Sequence, residues 1–200
     1  FLLPRYSLIV SFICLILFST DPDKCITGTS HSKIYCSNKD ETDALNLMKK
    51  NKLIKDKFII FICGSSKNGG LKRWGVKNFL DLFALIKKNI NLKVVLIGGK
   101  DDEDECNSIS FLNKDIINFC NQTSLTALPM LFKNAKCIIG NDTGATHIAA
   151  STDVPVILIT GPTNPEKVKP LGKNIIALQS EIECKNCYLK LCPHHSCMKG

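Results

Sequence analysis

A short polar segment with chemistry-bearing side chains lies between an apolar run and a stretch of small residues. It reads Asn141-Asp142-Thr143-Gly144, and His147 follows one helical turn later. Gly144 has no Cβ, so a bulky anion can approach backbone amides that lack an intrahelical partner at the start of a helix. The titratable donor His147 would lie beside that anion. The segment therefore predicts a phosphate-binding site.

A purely structural interpretation of this segment is also open. Asp142 or Asn141 would cap the helix by accepting hydrogen bonds from its first-turn amides, and His147 would be packed with both nitrogens satisfied. Gly140 is expected to let the chain leave the preceding strand tightly. These residues alone do not decide between the two interpretations.

A second polar loop, "GSSKNGGLKRW" (64–74), supports the phosphate-binding interpretation. It supplies the hydroxyls of Ser65 and Ser66, three glycines, and the cations Lys72 and Arg73. Hydroxyls and a lysine over a glycine-rich loop suit a diphosphate, although the Walker spacing is absent. Trp74 is expected to pack at the base of the loop.

Two further loops follow predicted strands. In "GGKDDEDE" (98–105), Asp102 or Glu103 is placed to accept a hydrogen bond from a ribose hydroxyl, and the other carboxylates are expected to be solvated. The proline-rich loop 161–172 is expected to form a wall of the cleft, with no helix or strand of its own. Thr163 in that loop could donate a hydrogen bond.

The last segment is rich in cysteine. Four thiols recur as C-x2-C-x4-C-x4-C, a spacing that can close a structural Zn²⁺ site or hold iron. The pattern is similar to a zinc knuckle, with a cysteine where that motif has histidine. Free thiols are the alternative interpretation. The four residues are Cys184, Cys187, Cys192 and Cys197.

Apolar runs that alternate with helical patterns must position these loops. Apolar residues at 79, 82, 83 and 86 predict a helix over 76–89. Helices are also predicted over 41–51, from about 100, over 124–135 and from 143. The continuously apolar strands predict a parallel, doubly wound, Rossmann-like α/β sheet. Their predicted ranges are 58–63, 93–99, 116–119, 137–140, 154–160 and 174–178.

Composition sets the class of protein. The 200 residues are 44% apolar and carry 26 basic against 18 acidic side chains, a net charge of +8. This balance suits anionic small molecules or an acidic membrane surface. Eleven cysteines without paired spacing in the body of the chain indicate a reducing compartment. The apolar segment 7–19 is short for a bilayer span and is expected to be a buried element, with a membrane or signal segment as the alternative.

The ordered motifs resemble those of glycosyltransferase family 9, the ADP-heptose:lipopolysaccharide heptosyltransferases. The segment "GNDTGATHIAASTDVPVILITGPTNPEKVKPLG" is similar to the family's D-[ST]-G-x-x-H-x-A block and following G-P-T-x-P loop. "GSSKNGGLKRWGVKNFLDL" is similar to its Lys-x-Trp loop, and "NQTSLTALPMLFKNAKCIIGNDTG" to its T-S-L stretch. The cysteine-rich end is similar to a tail common in the family. The resemblance covers residues 58–200.

The resemblance implies a GT-B fold of which this chain holds the C-terminal, donor-binding half. Residues 1–56 would then be the end of the acceptor domain and a linker, 57–180 the nucleotide-sugar domain, and 181–200 a cysteine-rich tail. The donor-binding residues carried over from the family are Ser65, Ser66, Lys72, Asp102, Thr123, Asp142, Thr143, Gly144 and His147. Thr123 would flank the nucleoside, and Lys72 would neutralise the diphosphate.

The resemblance also implies an inverting transfer of heptose from an ADP-sugar to a lipid-linked lipopolysaccharide acceptor, without a cofactor. The family's general base is an aspartate of the N-terminal domain, so this chain, which starts at Phe1, is expected to bind donor without catalysing transfer. We expect a cytoplasmic protein with contact to the inner membrane. An alternative is a basic Rossmann-like module with a zinc knuckle that binds nucleic acid. A nicotinamide-dependent oxidoreductase is disfavoured because no GxGxxG follows any strand.

Overall fold

The computed structural model describes residues 34–90 and 92–199, which form a parallel α/β fold. Six strands make one sheet in the order β3-β2-β1-β4-β5-β6, and every neighbouring pair is parallel. This order confirms the predicted doubly wound, Rossmann-like architecture. The strands are β1 Phe58–Ile62, β2 Lys93–Ile97, β3 Ile116–Asn118, β4 Cys137–Asn141, β5 Val156–Thr160 and β6 Ile175–Gln179.

Helices cover both faces of the sheet. They are α1 Asn38–Lys50, α2 Val76–Asn89, α3 Glu103–Leu112, α4 Leu128–Asn134, α5 Gly144–Ala150, α6 Pro165–Val168 and α7 Ser196–Lys199. Single 3-10 turns span Gly70–Lys72 and Lys100–Asp102. The central strands β1, β4 and β5 are buried along their whole length, which is why they read as unbroken apolar runs.

Each face of the sheet has its own apolar core. Phe79, Leu82 and Ile86 of α2 pack against one face, as their spacing predicts. Ala44 and Met48 of α1 pack against the other face, together with α4. Residues 38–50 are thus packed onto the same sheet as the rest of the described chain, while the domain boundary at residue 57 stays a prediction.

The helices differ most from the predicted ones at three places. Helix α1 begins earlier, because Ser37 and Asp40 form a reciprocal capping box at its start. Helix α4 begins later, because the Ser124 hydroxyl accepts from the Ala127 amide and holds a turn there. The expectation that loop 161–172 has no helix is wrong, since Asn164 caps the short helix α6.

The expected role of Gly140 is also wrong. β4 continues through Gly140 to Asn141, so the glycine lies inside the strand and not at its exit. A Cβ at this position would stand 2.7 Å from the Cβ of Ile62 on β1. The close approach of the two strands therefore explains the glycine.

The apolar segment 7–19 lies outside the described residues. Within 34–90 and 92–199, no helix is both long and apolar enough to cross a bilayer.

Candidate functional site

Two polar groups lie at the carboxyl edge of the sheet, where the loops after β1, β2, β4 and β5 meet. We call the first the Asp142 cluster; it comprises Lys72, Asp142, His147 and Thr163. We call the second the Asp102 joint; it comprises Arg73, Asp102 and Glu105 with the backbone around Ser65 and Gly99. Ligands of parallel α/β sheets bind at this edge.

The Asp142 cluster is built from side chains of the three segments that follow β1, β4 and β5 and from His147 on helix α5. The Lys72 Nζ lies 2.7 Å from Asp142 Oδ2, and the Thr163 hydroxyl donates to the same oxygen at 3.1 Å. The His147 Nε2 lies 3.8 Å from Asp142 Oδ1. The side chain of Asp142 is only 6% exposed, whereas those of Lys72 and His147 are 33% and 50% exposed. The cluster therefore presents a cation and an imidazole to solvent above a buried carboxylate.

The pKa of Asp142 reflects two opposed effects. Burial raises it, while the nearby imidazole of His147, the hydrogen bonds from Lys72 and Thr163 and the charge of Lys72 together lower it by more than burial raises it. The pKa consequently lies below its ordinary value, and Asp142 is an anion at neutral pH. An ionised Asp142 can hold Lys72 in place.

Neither Asn141 nor Asp142 caps helix α5, so the structural interpretation of this segment is wrong on that point. The N-cap residue is Thr143, and its side chain makes no capping hydrogen bond. Asn141 is fully buried, donates to the carbonyls of Cys63 and Gly64, and accepts from the Trp74 amide at 3.2 Å. The side-chain amide of Asn141 therefore fixes the loop after β1, residues 64–74, against β4.

In the Asp102 joint, both oxygens of the carboxylate are engaged. Oδ1 accepts from the Ser65 amide at 2.9 Å and from Arg73 at 2.9 Å, and Oδ2 accepts from the Gly99 amide at 3.0 Å. A Cβ at Gly64 would stand 1.8 Å from Asp102 Cγ, so this glycine leaves the space that the carboxylate fills. Asp102 thus links the loop after β1 to the loop after β2. Its predicted contact with ribose stays a prediction.

Arg73 is a residue whose role the sequence interpretation missed. Its guanidinium pairs with Glu105 at 2.7 Å and with Asp102, and donates to the carbonyls of Ser65 and Asp101. Burial raises the pKa of Glu105, and the charge and hydrogen bond of Arg73 only partly offset that effect. The available signal is an arginine in the loop after β1 and an acid-rich run in the loop after β2, two loops that share one edge of the sheet. Trp74 is buried on Phe79, as expected.

A cavity of about 510 Å³ lies beside these groups. Six of the nine predicted donor-binding residues line it: Ser65, Ser66, Asp102, Thr123, Thr143 and Gly144. The other three predicted residues form most of the Asp142 cluster, next along the chain to Thr143. Leu128 and Ile148 add apolar surface to the cavity. A polar rim with an apolar floor suits a nucleotide, whose base is apolar on its faces and whose phosphates are charged.

The four cysteines of the tail differ in exposure. Cys197 is buried, and Cys184 and Cys187 are exposed. Burial raises the pKa of the Cys197 thiol, as do the charges of the other three cysteines. Across residues 34–90 and 92–199, no group of three or more His, Cys, Asp or Glu side chains is arranged to hold a metal ion. The predicted metal site therefore stays a prediction.

Comparison with protein families gives one match over nearly the whole chain. The family described as "Glycosyltransferase family 9 (heptosyltransferase)" matches residues 9–197. Among curated proteins, lipooligosaccharide heptosyltransferase 2 of Campylobacter jejuni is 28% identical over 138 residues, which cover 66% of this chain and 43% of that protein.

Solved structures agree with the fold. The glycosyl transferase family 9 protein from Veillonella parvula superposes with a TM-score of 0.68 at 24% identity, covering 76% of this chain and 43% of that one. The ADP-heptose lps heptosyltransferase II of E. coli gives a TM-score of 0.62 at 23% identity, covering 76% and 46%. The matched part of the chain thus spans less than half the length of these relatives.

Proposed function

The chain belongs to glycosyltransferase family 9, and we propose that its described domain binds the ADP-sugar donor of a heptosyltransferase. The observation that carries the proposal is the Asp142 cluster, in which Lys72 is held 2.7 Å from Asp142 at the carboxyl edge of the sheet. The lysine is partly exposed and lies in the loop that also lines the cavity with Ser65 and Ser66. The names of the relatives supply the substrate class, a heptose carried on ADP.

In this proposal the nine residues have separate roles. Lys72, Ser65 and Ser66, with the amides of Thr143 and Gly144, bind the diphosphate. Thr123 and Asp102 lie toward the nucleoside. Asp142 holds Lys72, and His147 donates to the phosphates from the exposed side of the cluster.

The chemistry that these residues contribute is stabilisation of the leaving group. When the anomeric carbon is attacked by an acceptor hydroxyl, negative charge builds up on the departing diphosphate. A fixed ammonium group and hydroxyl donors at that position stabilise the developing charge without a metal ion. We infer an inverting reaction in which the acceptor is a lipid-linked lipopolysaccharide core at the cytoplasmic face of the inner membrane.

The general base of this reaction is proposed to lie in the half of the relatives that the matched residues do not cover. The 200-residue chain is then expected to bind ADP-sugar without transferring it. The nucleic-acid alternative gains no support from the family match or from the relatives.

The proposal is tested by titrating the 200-residue chain with ADP in a calorimeter. Lys72→Ala should weaken ADP binding at least tenfold, because a charge-assisted contact to the diphosphate contributes about 1.5–3 kcal/mol. Lys77→Ala is the matched control, since it removes the same charge from an exposed i,i+4 pair on α2. Equal affinities in the two variants, or no binding of ADP to the unmodified chain, would contradict the proposal.

We also propose that the four tail cysteines bind a structural Zn²⁺ or iron ion. The support is their spacing and the mutual proximity that raises the pKa of Cys197. Binding would require the thiolates to reorient from their arrangement in the structure. Elemental analysis of the purified chain should find about one metal ion per chain. The ion should be lost in Cys184→Ser/Cys187→Ser and kept in Cys36→Ser, and a metal-free unmodified chain would contradict the assignment.

A further inference from the structure

The C-terminal tail, residues 181–199, folds back over the loops that carry the Asp142 cluster. His195 Nε2 lies 2.8 Å from the carbonyl oxygen of Leu71, the residue before Lys72. A carbonyl oxygen only accepts hydrogen bonds, so Nε2 must carry the hydrogen. His195 therefore holds the backbone from which Lys72 extends.

The tail holds the Thr163 loop in the same way. The Tyr188 amide donates to the carbonyl of Pro162 at 2.9 Å, and the Tyr188 hydroxyl accepts from the Asn164 amide at 3.2 Å. These two contacts flank Thr163, whose own hydroxyl donates to Asp142. The tail thus contacts the residues on both sides of Thr163 and the residue before Lys72. Both Thr163 and Lys72 are partners of Asp142.

The end of the tail is anchored in the core. Met198 is 1% exposed, and its backbone carbonyl accepts from Asn78 on α2 at 3.1 Å. A Cβ at Gly161 would stand 2.6 Å from the Met198 sulfur, so this glycine makes room for the methionine. Because its end is anchored in the core, the tail can restrict the backbone positions of the two loops that it contacts.

We propose that the tail is a strap that positions Lys72 and Thr163 on Asp142, with His195 and Tyr188 as its positioning residues. The inference rests on the proposed donor-binding function, because its consequence is tighter binding of the donor diphosphate. Neither residue touches the ligand. His195 restricts the backbone next to Lys72, which binds the diphosphate in the proposed function, and Tyr188 restricts the backbone around Thr163, which donates to Asp142.

The test is a double-mutant cycle with ADP affinity as the measurement. His195→Ala should weaken ADP binding about fivefold to tenfold, since one hydrogen bond contributes roughly 1 kcal/mol. His195→Gln keeps an N–H donor and should restore most of the affinity. In the Lys72→Ala background, His195→Ala should have little further effect, because its action runs through Lys72.

Controls separate this inference from a structural role and from the proposed function. His194→Ala removes the exposed neighbouring imidazole and should leave ADP affinity unchanged. Tyr188→Phe removes a single hydroxyl and should weaken binding about twofold to threefold, a readout that remains if His195→Ala unfolds the chain. If Lys72→Ala weakens binding while the His195 and Tyr188 variants match His194→Ala, the strap is overturned and the donor site stands. If His195→Ala acts equally in both backgrounds, the strap is also overturned.

Discussion

Two carboxylates, the buried Asp142 and the partly buried Asp102, lie at the same edge of the sheet, but their partners differ in kind. Asp102 accepts from two backbone amides and from the guanidinium of Arg73. The polar partners of Asp142 among the described residues are side chains, and two of them, Lys72 and His147, are partly exposed. The amides of Ser65 and Gly99 are already committed to Asp102 and are fixed by the backbone, whereas the side chains of Lys72 and His147 can rotate toward a ligand.

Asp102 and Asp142 are the same residue type, and only their partners distinguish a carboxylate that mainly joins loops from one that mainly holds ligand-binding side chains. The Asp102 joint ties the loops after β1 and β2 together and has its donors committed internally. The Asp142 cluster keeps donors that can exchange an internal partner for a phosphate oxygen. The comparison predicts that changes in the joint alter stability first, while changes in the cluster alter ligand binding first.

The sharpest test of this contrast is a pair of glycine substitutions. Gly64→Ala places a Cβ 1.8 Å from Asp102 Cγ and must expel the carboxylate from its amide and arginine partners. We expect the free energy of unfolding to fall by about 2–4 kcal/mol, as for other broken buried networks. Urea denaturation followed by circular dichroism measures this change.

Gly144→Ala is the matched substitution on the other side. A Cβ there meets no atom within 4 Å, so the free energy of unfolding should stay the same or rise by about 0.4–1 kcal/mol. The added methyl group lies on the cavity wall, and ADP binding should weaken at least tenfold. A Gly64→Ala variant as stable as the unmodified chain would contradict the distinction between the Asp102 joint and the Asp142 cluster.

A second pair compares adjacent cations. Arg73→Met leaves Asp102 and Glu105, whose side chains are 16% and 10% exposed, without their shared counter-ion. We expect a loss of about 2–3 kcal/mol in the free energy of unfolding, below the full range for buried pairs because some exposure remains.

Lys72→Met removes the neighbouring cation from a pair whose carboxylate is buried but whose lysine is 33% exposed, and Thr163 still donates to that carboxylate. Its stability should fall by no more than about 1 kcal/mol, while its ADP affinity falls as in Lys72→Ala. The same denaturation and titration experiments rank both variants. The comparison fails if Lys72→Met is the less stable of the two.

The sequence predicts the sheet well because each strand is a local apolar run between polar loops. It also predicts that these loops converge, since the carboxyl ends of parallel strands share one edge. It does not predict that Asp102 and Glu105 are the carboxylates of the run 101–105 that turn inward. The position of Asp102 depends on space left by Gly64 and Gly98, which lie at the ends of different strands.

The residue types alone do not distinguish the roles of Lys72 and Arg73; the family resemblance assigns Lys72 to the diphosphate and gives no role to Arg73. Both are cations of one loop, and only their three-dimensional neighbours, Asp142 for one and Glu105 for the other, distinguish them. The contact of His195 with Leu71 spans 124 residues and no local pattern indicates it. Long-range partners, and not residue type, decide these roles.

The smallest expected effect is a difference in the sign of pH dependence. The pKa of Asp142 is lowered in the folded chain, so between the folded and unfolded values the unfolded state binds more protons and stability rises with pH. The pKa of Glu105 is raised, so above its ordinary value of 4.5 the folded state binds more protons and stability falls as pH rises.

Substitutions by the uncharged amide isolate each contribution. The stability of the unmodified chain relative to Asp142→Asn should shrink as pH falls below 3.8, the ordinary pKa of aspartate. The stability relative to Glu105→Gln should instead shrink as pH rises above 4.5. Denaturation curves between pH 3 and pH 7 measure both differences. Equal signs would mean that the two carboxylates share one kind of environment, because only a donor-rich site lowers a buried carboxyl pKa while burial alone raises it.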